Sequence, residues 1–181
     1  MTSFMIQAHE GRQIPTSWKS DPDCIFCRII KGETPAFRVY EDDKVIAILD
    51  ILPLRTGHTL VIPKIHCSRV SELPIEFAAA GGIAVTKVSH ALAEALDNTA
   101  LNVVCNQEYA QAVPHVHYHI IPAPSHTTGS HLASTLSKSD KSDRRTRPLT
   151  EKEMHQREWE ARNELDDEEA TSLVQKIRAR L

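Results

Sequence analysis

No apolar run in this chain approaches the roughly 18–20 residues that a membrane-spanning helix needs. An excess of basic charge is missing as well: 21 Lys and Arg against 24 Asp and Glu leave a net charge of −3, and aromatic residues make up 5%. Neither a global basic field nor an aromatic platform therefore calls for nucleic acid as a partner. The first twenty residues lack an apolar core and mix Glu10 with Arg12 and Lys19, so neither a secretory leader nor a mitochondrial presequence is expected. Cysteine is sparse, with four residues, two of them in the C-x-x-C pair Cys24 and Cys27. That usage points away from a disulfide scaffold and towards a reducing compartment, the cytoplasm or nucleus, with metal or thiol chemistry. No internal repeat is present.

The 181 residues suffice for one domain with extensions and a real core. Residues 1–22 show no sustained periodicity and read as an arm, with Trp18 as a local anchor. A short helix is expected from Cys24 to Ile30, stopped at Gly32. Strands follow at Phe37–Tyr40 and Lys44–Leu49, joined by a turn at Glu41-Asp42-Asp43, and a third at His58–Pro63. From Pro74 to Leu96 the apolar period becomes helical, with Ile75, Ala78, Ala79, Gly82, Val85, Leu92, Ala95 and Leu96 assigned to one face. A fourth strand is expected over Ala100–Asn106. Residues 125–149 are rich in Ser, Thr and then basic residues and read as a linker. Residues 150–181 read as a helical extension, with a capping box at Thr150–Glu153 opening a helix to about Asn163. A second helix starts near Asp166, with Ala170, Leu173, Val174, Ile177 and Leu181 on one stripe.

The stretch that organises the chain is Pro114-His-Val-His-Tyr-His-Ile-Ile-Pro122. Its strict alternation predicts a half-buried strand, with His115, His117 and His119 on one face and Val116, Tyr118 and Ile120 towards the core. Three titratable rings in a row bring no packing advantage. Imidazole offers both a nucleophile and a hydrogen-bond donor near neutral pH, the two roles that phosphoryl transfer requires. A merely polar or metal-binding face is the bland alternative.

This motif resembles that of the histidine-triad (HIT) family of nucleotide hydrolases and transferases. Asp23–Ile30, Leu49-Asp50-Ile51 and Gly57–Lys64 resemble its opening helix and central strands, so that the similarity covers residues 23–124. The branch it most resembles is that of the Hint-type adenosine phosphoramidases. The resemblance implies a two-layer α+β fold, an antiparallel sheet of about five strands with helices packed on it. It also implies a homodimer, with the Pro74–Leu96 helix and the Ala100–Asn106 strand near the two-fold axis. By the same resemblance, His117 is the nucleophile at the α-phosphate, while His119 and His58 line the phosphate site. Phe26, Ile29 and Ile51 would form the slot for an AMP-like purine nucleotide, Asp50 would hold the ribose, and Asn106 and Gln111 would sit by the phosphate or leaving group. Judged one at a time, the apolar members are better explained by ordinary core packing.

Taken alone, the C-x-x-C pair fits a redox couple, half a zinc site or two unrelated thiols. Relatives in the family complete a structural zinc site with a downstream histidine and the first triad histidine, which here gives Cys24, Cys27, His66 and His115. Cys67 and Cys105 read as buried thiols. One departure concerns the family's Gly-Gln-Ser/Thr before the triad, replaced here by Ala110-Gln111-Ala112, without the glycine or the hydroxyl. Within the family, a Fhit-type dinucleoside polyphosphate hydrolase is the alternative enzyme, and a nucleotide-binding scaffold the alternative outside catalysis. An aprataxin-like DNA deadenylase is disfavoured because no cysteine follows Cys105 to build its zinc finger.

Overall fold

The computed structural model describes residues 16–124, 160 and 162–181. Five strands form one antiparallel sheet in the order β1-β2-β3-β5-β4: β1 Arg38–Glu41, β2 Val45–Leu49, β3 Thr59–Pro63, β4 Leu101–Cys105 and β5 Tyr118–Pro122. Helix α1 is Ile25–Ile30, α2 is Ile75–Leu96 and α3 is Asp167–Arg178. The fold is α+β, as expected, and among the described residues no helix is long and apolar enough to cross a membrane.

Alternation along the strands sorts the core into two faces. Val45, Ala47 and Leu49 of β2 join Val61, Ile120 and the α2 residues Ala84, Val88, Ala91 and Leu92 in one cluster. Ile46 and Ile48 point the other way, to Leu60, Ile62 and the α1 residues Phe26, Cys27, Ile29 and Ile30. Every residue of β2 and β3 is therefore buried. The α1 face is the one that carries the site.

Local chemistry fixes the connections. Asp42 Oδ1 accepts from the Lys44 and Val45 amides, both at 2.8 Å, which closes the β1–β2 turn. Glu41, expected in that turn, instead ends β1 and lies buried, where it accepts from Arg38 at 2.6 Å and Lys64 at 2.8 Å. Two cations satisfy the carboxylate, so it stays in the sheet. Arg38 also donates to the Ile29 carbonyl at 2.6 Å, tying the end of α1 to the sheet. Gly57, with φ +89°, is required before β3, because a Cβ there would meet Leu96 Cδ1 at 2.7 Å.

Two expectations need correction. In α2 the buried face is Phe77, Gly81, Ala84, Val88, Ala91 and Leu92, while Ile75 is 88% exposed and Ala79 and Gly82 are exposed. Small residues on both sides of this helix make its period ambiguous, and the face adopted is the one that packs Ala84, Val88, Ala91 and Leu92 on the sheet, with Gly81 beside Tyr118. The triad strand begins at Tyr118, not Pro114. Before it, the Val116 amide bonds to the Cys67 carbonyl at 2.7 Å and the His115 carbonyl is taken by the His117 ring, so no strand ladder can form. Val116 and Ile120 lie in the core as expected, but His115 and His117 are buried as deeply and Tyr118 only half-buried, because the cysteine–histidine cluster and α1 cover the histidine side. The helix expected from Thr150 to about Asn163 lies outside the described residues except at its end, where Glu160 is helical and Arg162 and Asn163 are not.

Helix α3 docks by the stripe read from the sequence: Ala170, Leu173 and Ile177 are buried, with Val174 and Leu181 packed against the same cluster. Asp166 caps it by accepting from the Glu168 and Glu169 amides. Trp18 meets Phe77 edge-on at 4.8 Å between ring centroids.

Candidate active site and metal cluster

A cleft of about 790 Å³ opens on the α1 face of the sheet. Phe26, Ile29, Asp50, Ile51, His58, Asn106, Gln111, His117 and His119 all line it, so the structure brings the nucleotide-binding and catalytic candidates together. Its floor comes from side chains of one pleat: Ile48, Leu60, His119 and Val104 are successive cross-strand partners. Phe26 lies edge-on to His117 at 5.1 Å, and His117 to His119 at 4.8 Å.

Hydrogen bonds assign the protons on these rings. The Nδ1–H of His117 donates to the His115 carbonyl at 2.6 Å. Its Nε2 is then an unprotonated lone pair. The Leu54 amide donates to His58 Nδ1 at 3.2 Å, so the proton of His58 sits on Nε2, which donates to His119 Nδ1 at 3.0 Å. His119 is left with its proton on Nε2 as a donor. An unprotonated imidazole nitrogen and an N–H donor therefore stand side by side, each fixed in tautomer by a backbone group one or two bonds away. The bonds from Leu54 and the His115 carbonyl carry no sequence signature, and sequence reading missed both.

Asp50 accepts from the Leu52 amide at 2.9 Å and lies 3.4 Å from His58 Nδ1. Burial pushes the pKa of His58 down, opposed by Asp50 and reinforced by Arg162, Arg55 and His117. Burial is also the main cause holding His117 low, against the pull of its carbonyl partner and Asp50. His119 is pushed down to about 4, first by burial, then by His117 and His58, with Asp50 opposing. The unfolded chain, near 6.5, takes up this proton before the folded one does. The stability owed to a neutral His119 is thus complete above about pH 6.5 and is lost as pH falls towards 4. Denaturant midpoints followed from pH 7.5 to 4.5 should drop, and those of His119→Gln should drop less steeply. Equal slopes would show that His119 makes no such contribution.

Gln111 is used in holding the loop: its Oε1 accepts from the Glu108 amide and its Nε2 donates to the Ser68 carbonyl, both at 2.9 Å. Ala110 stands at φ +57°, where a glycine would be unstrained, and Glu108 at φ +61°. The Arg69–Glu108 ion pair, 2.6 Å, and the two Gln111 bonds hold this loop in place. Ala112 contributes only a methyl group to the cleft wall.

Behind the cleft, Cys24, Cys27, His66 and His115 are all buried and place their ligand atoms within 4.8 Å of one another. Sγ of Cys24 is 3.5 Å and Sγ of Cys27 3.7 Å from His115 Nδ1, and Cys27 Sγ is 3.4 Å from His66 Nδ1. Donors around a tetrahedral zinc stand about 3.4–3.8 Å apart, from bond lengths of about 2.0–2.3 Å. The four donors fit. His115 Nε2–H donates to the Pro63 carbonyl at 2.8 Å, which leaves Nδ1 as the ligand atom. Among the described residues the cysteines are free thiols, with Cys67 buried and Cys105 half-buried, and burial pushes the Cys24 thiol up.

An antiparallel sheet bearing a histidine-lined cleft and a C-x-x-C/His/His cluster is the architecture of a histidine-triad domain. Residues 31–126 match the HIT domain, and the chain belongs to that family, in its Hint-like branch. It is 42% identical over 102 residues to adenylylsulfatase HINT3 of Arabidopsis thaliana, a match covering 55% of this chain and about half, 52%, of that relative. With adenosine 5′-monophosphoramidase HNT1 of Saccharomyces cerevisiae it shares 38% over 111 residues, covering 60% of this chain and 68% of the relative. A Zn-bound histidine triad family protein from Mycobacterium smegmatis superposes with a TM-score of 0.61 at 30% identity, covering 87% of this chain and 94% of that one.

Proposed function

We propose that this protein hydrolyses adenosine 5′-phosphoramidates or related adenylates at the α-phosphate, through a covalent nucleotidyl-His117 intermediate. The observation that carries this reading is the hydrogen bond from His117 Nδ1 to the His115 carbonyl, which aims an unprotonated Nε2 into a nucleotide-sized cleft. In the first step Nε2 forms a bond to the α-phosphorus as the bond to the leaving group breaks. The Nε2–H of His119 donates to the oxygen or nitrogen on which charge develops, with His58 holding it in that tautomer. Water then cleaves the phosphorus–imidazole bond and restores His117. Phe26, Ile29 and Ile51 sandwich the base, Asp50 receives the ribose hydroxyls, and Asn106 faces the phosphate.

The two curated relatives named above differ in leaving group, an amine in one and sulfate in the other. Because Ala112 offers no hydroxyl, the leaving group is set elsewhere in the cleft. Comparing kcat/KM on adenosine 5′-phosphoramidate, adenylyl sulfate, Ap3A and Ap4A tests the reading. A preference for either of the first two supports it; exclusive cleavage of Ap3A or Ap4A would make the protein a polyphosphate hydrolase. Turnover of none would favour a nucleotide-binding scaffold.

The Cys24, Cys27, His66 and His115 cluster is proposed to hold one structural zinc, which would tie α1 to the triad segment and keep His115 out of catalysis. A homodimer in the cytoplasm completes the proposal. Its support is the free edge of the sheet at β4, where Val103 is 46% exposed, and Ile83 of α2, 56% exposed on the same side of the sheet. Sedimentation should give twice the chain mass at micromolar concentration, and a monomer for Val103→Arg; a wild-type monomer would remove the claim.

A further inference from the structure

The matched family domain ends at residue 126, yet one wall of the cleft comes from beyond it. Arg162 lines the cleft together with His58, Asp50 and Ile51. Its position is not that of a loose tail. Three residues further on, the Leu165 amide donates to the Ile51 carbonyl at 2.9 Å, joining this segment to the lip of the cleft. One residue later Asp166 caps α3, whose Ala170, Leu173 and Ile177 are buried in the main core. At its far end Arg178 Nε donates to the Arg38 carbonyl at 3.0 Å. The backbone that carries Arg162 is therefore anchored from both the cleft and the sheet.

Charge gives this placement its meaning. Among the described lining residues Arg162 is the single guanidinium or ammonium group, against two carboxylates, Asp50 and Glu108. Leu165, three residues on, is bonded to Ile51 next to Asp50, and the charge of Arg162 reaches His58, so Arg162 stands on the His58–Asp50 side of the cleft. A guanidinium presents a planar fork of donors that matches phosphate or sulfate oxygens in pairs.

We infer that Arg162 forms a second anion subsite on the His58–Asp50 wall and makes the protein select nucleotides with an anionic group in addition to the α-phosphate. This rests on the nucleotide-cleft reading above. The second anion is a phosphoryl or sulfuryl group, carried either by the leaving group or by a ribose hydroxyl. Leaving-group anions add charge that a phosphoramidate lacks, and a ribose phosphate would approach from the Asp50 side.

The experiment uses the full chain, with Arg162→Gln and Arg162→Lys, and three substrates. Adenosine 5′-phosphoramidate has no second anion, adenylyl sulfate has one on the leaving group, and 3′-phosphoadenosine 5′-phosphoramidate has one on the ribose. Arg162→Gln should lower kcat/KM on one of the doubly anionic substrates by about 10–100-fold, the range for a charged hydrogen bond, with most of the loss in KM. The phosphoramidate should change less than twofold, and Arg162→Lys should recover part of the loss because it restores charge without the fork. Which arm falls identifies the source of the anion. A uniform loss on all three substrates, or no loss on any, would overturn the subsite. AMP titrated directly into each variant should bind as in wild type. Wild-type protein that binds no AMP would instead defeat the nucleotide reading, and the subsite with it.

Discussion

His117→Ala protein should form no covalent nucleotide and turn over adenylates on the order of 10⁴-fold or more below wild type, while still binding AMP. The size of the effect follows from what is removed. In the proposed reaction the loss of Nε2 leaves no other unprotonated imidazole nitrogen among the described cleft residues to attack, because His119 carries its proton on Nε2 and His58 is engaged with His119. Nucleotide binding should survive, since Phe26, Ile29, Asp50 and Ile51 form the rest of the cleft without help from this ring. By contrast, His119→Ala removes one donor and should cost about 10²–10³-fold, with the labelled intermediate still detectable. Acid-labile label on the protein, measured beside turnover, separates the two variants. Activity of His117→Ala within tenfold of wild type would mean that another group attacks.

Protein purified without chelator should contain about one equivalent of zinc, and Cys27→Ala should contain none and be strongly destabilised. Cys27 is the pivot of the cluster, with its sulfur 3.4 Å from His66 and 3.7 Å from His115. Zinc binding is folding free energy, about 10–16 kcal/mol in isolated zinc-finger peptides. Here a five-stranded sheet and the core cluster on its α2 face contain none of the four ligands, so a smaller loss is expected, on the order of 3–5 kcal/mol from leaving buried ligands without their ion. Calorimetry with metal analysis before and after chelation reads both quantities. Release of protons on reloading should accompany binding, because burial holds the Cys24 thiol protonated until a metal displaces the proton. A full complement of stability without metal, or a Cys24–Cys27 disulfide in reduced extract, would remove zinc from the description.

These two outcomes bear on His115 and His117 together. The first binds the cluster and the second faces the cleft, and a single residue separates them. The His115 carbonyl that fixes the tautomer of His117 belongs to the residue held by the cluster. Loss of metal should therefore reach catalysis through backbone position, without any direct contact between metal and substrate.

The alternation in the triad motif by itself determined that His117 and His119 would share the cleft while Val116 and Ile120 entered the core, because extended backbone turns alternate residues to opposite sides wherever it occurs. It fixed the five strands and the stripe of α3 for the same reason, since periodicity is a local property of the chain. What the pattern could not contain is anything decided by distant partners. Packing of Ala84, Val88, Ala91 and Leu92 on the sheet set the rotation of α2, and the Cys67 carbonyl, 49 residues from Val116 in sequence, kept the triad from entering the sheet at Pro114. The protons on His58 and His119 were placed by the Leu54 amide, a group that every residue but proline carries and that no sequence can single out. Arg162 reached the cleft only because α3 docks on the sheet and Leu165 bonds to Ile51, long-range contacts with no local signature.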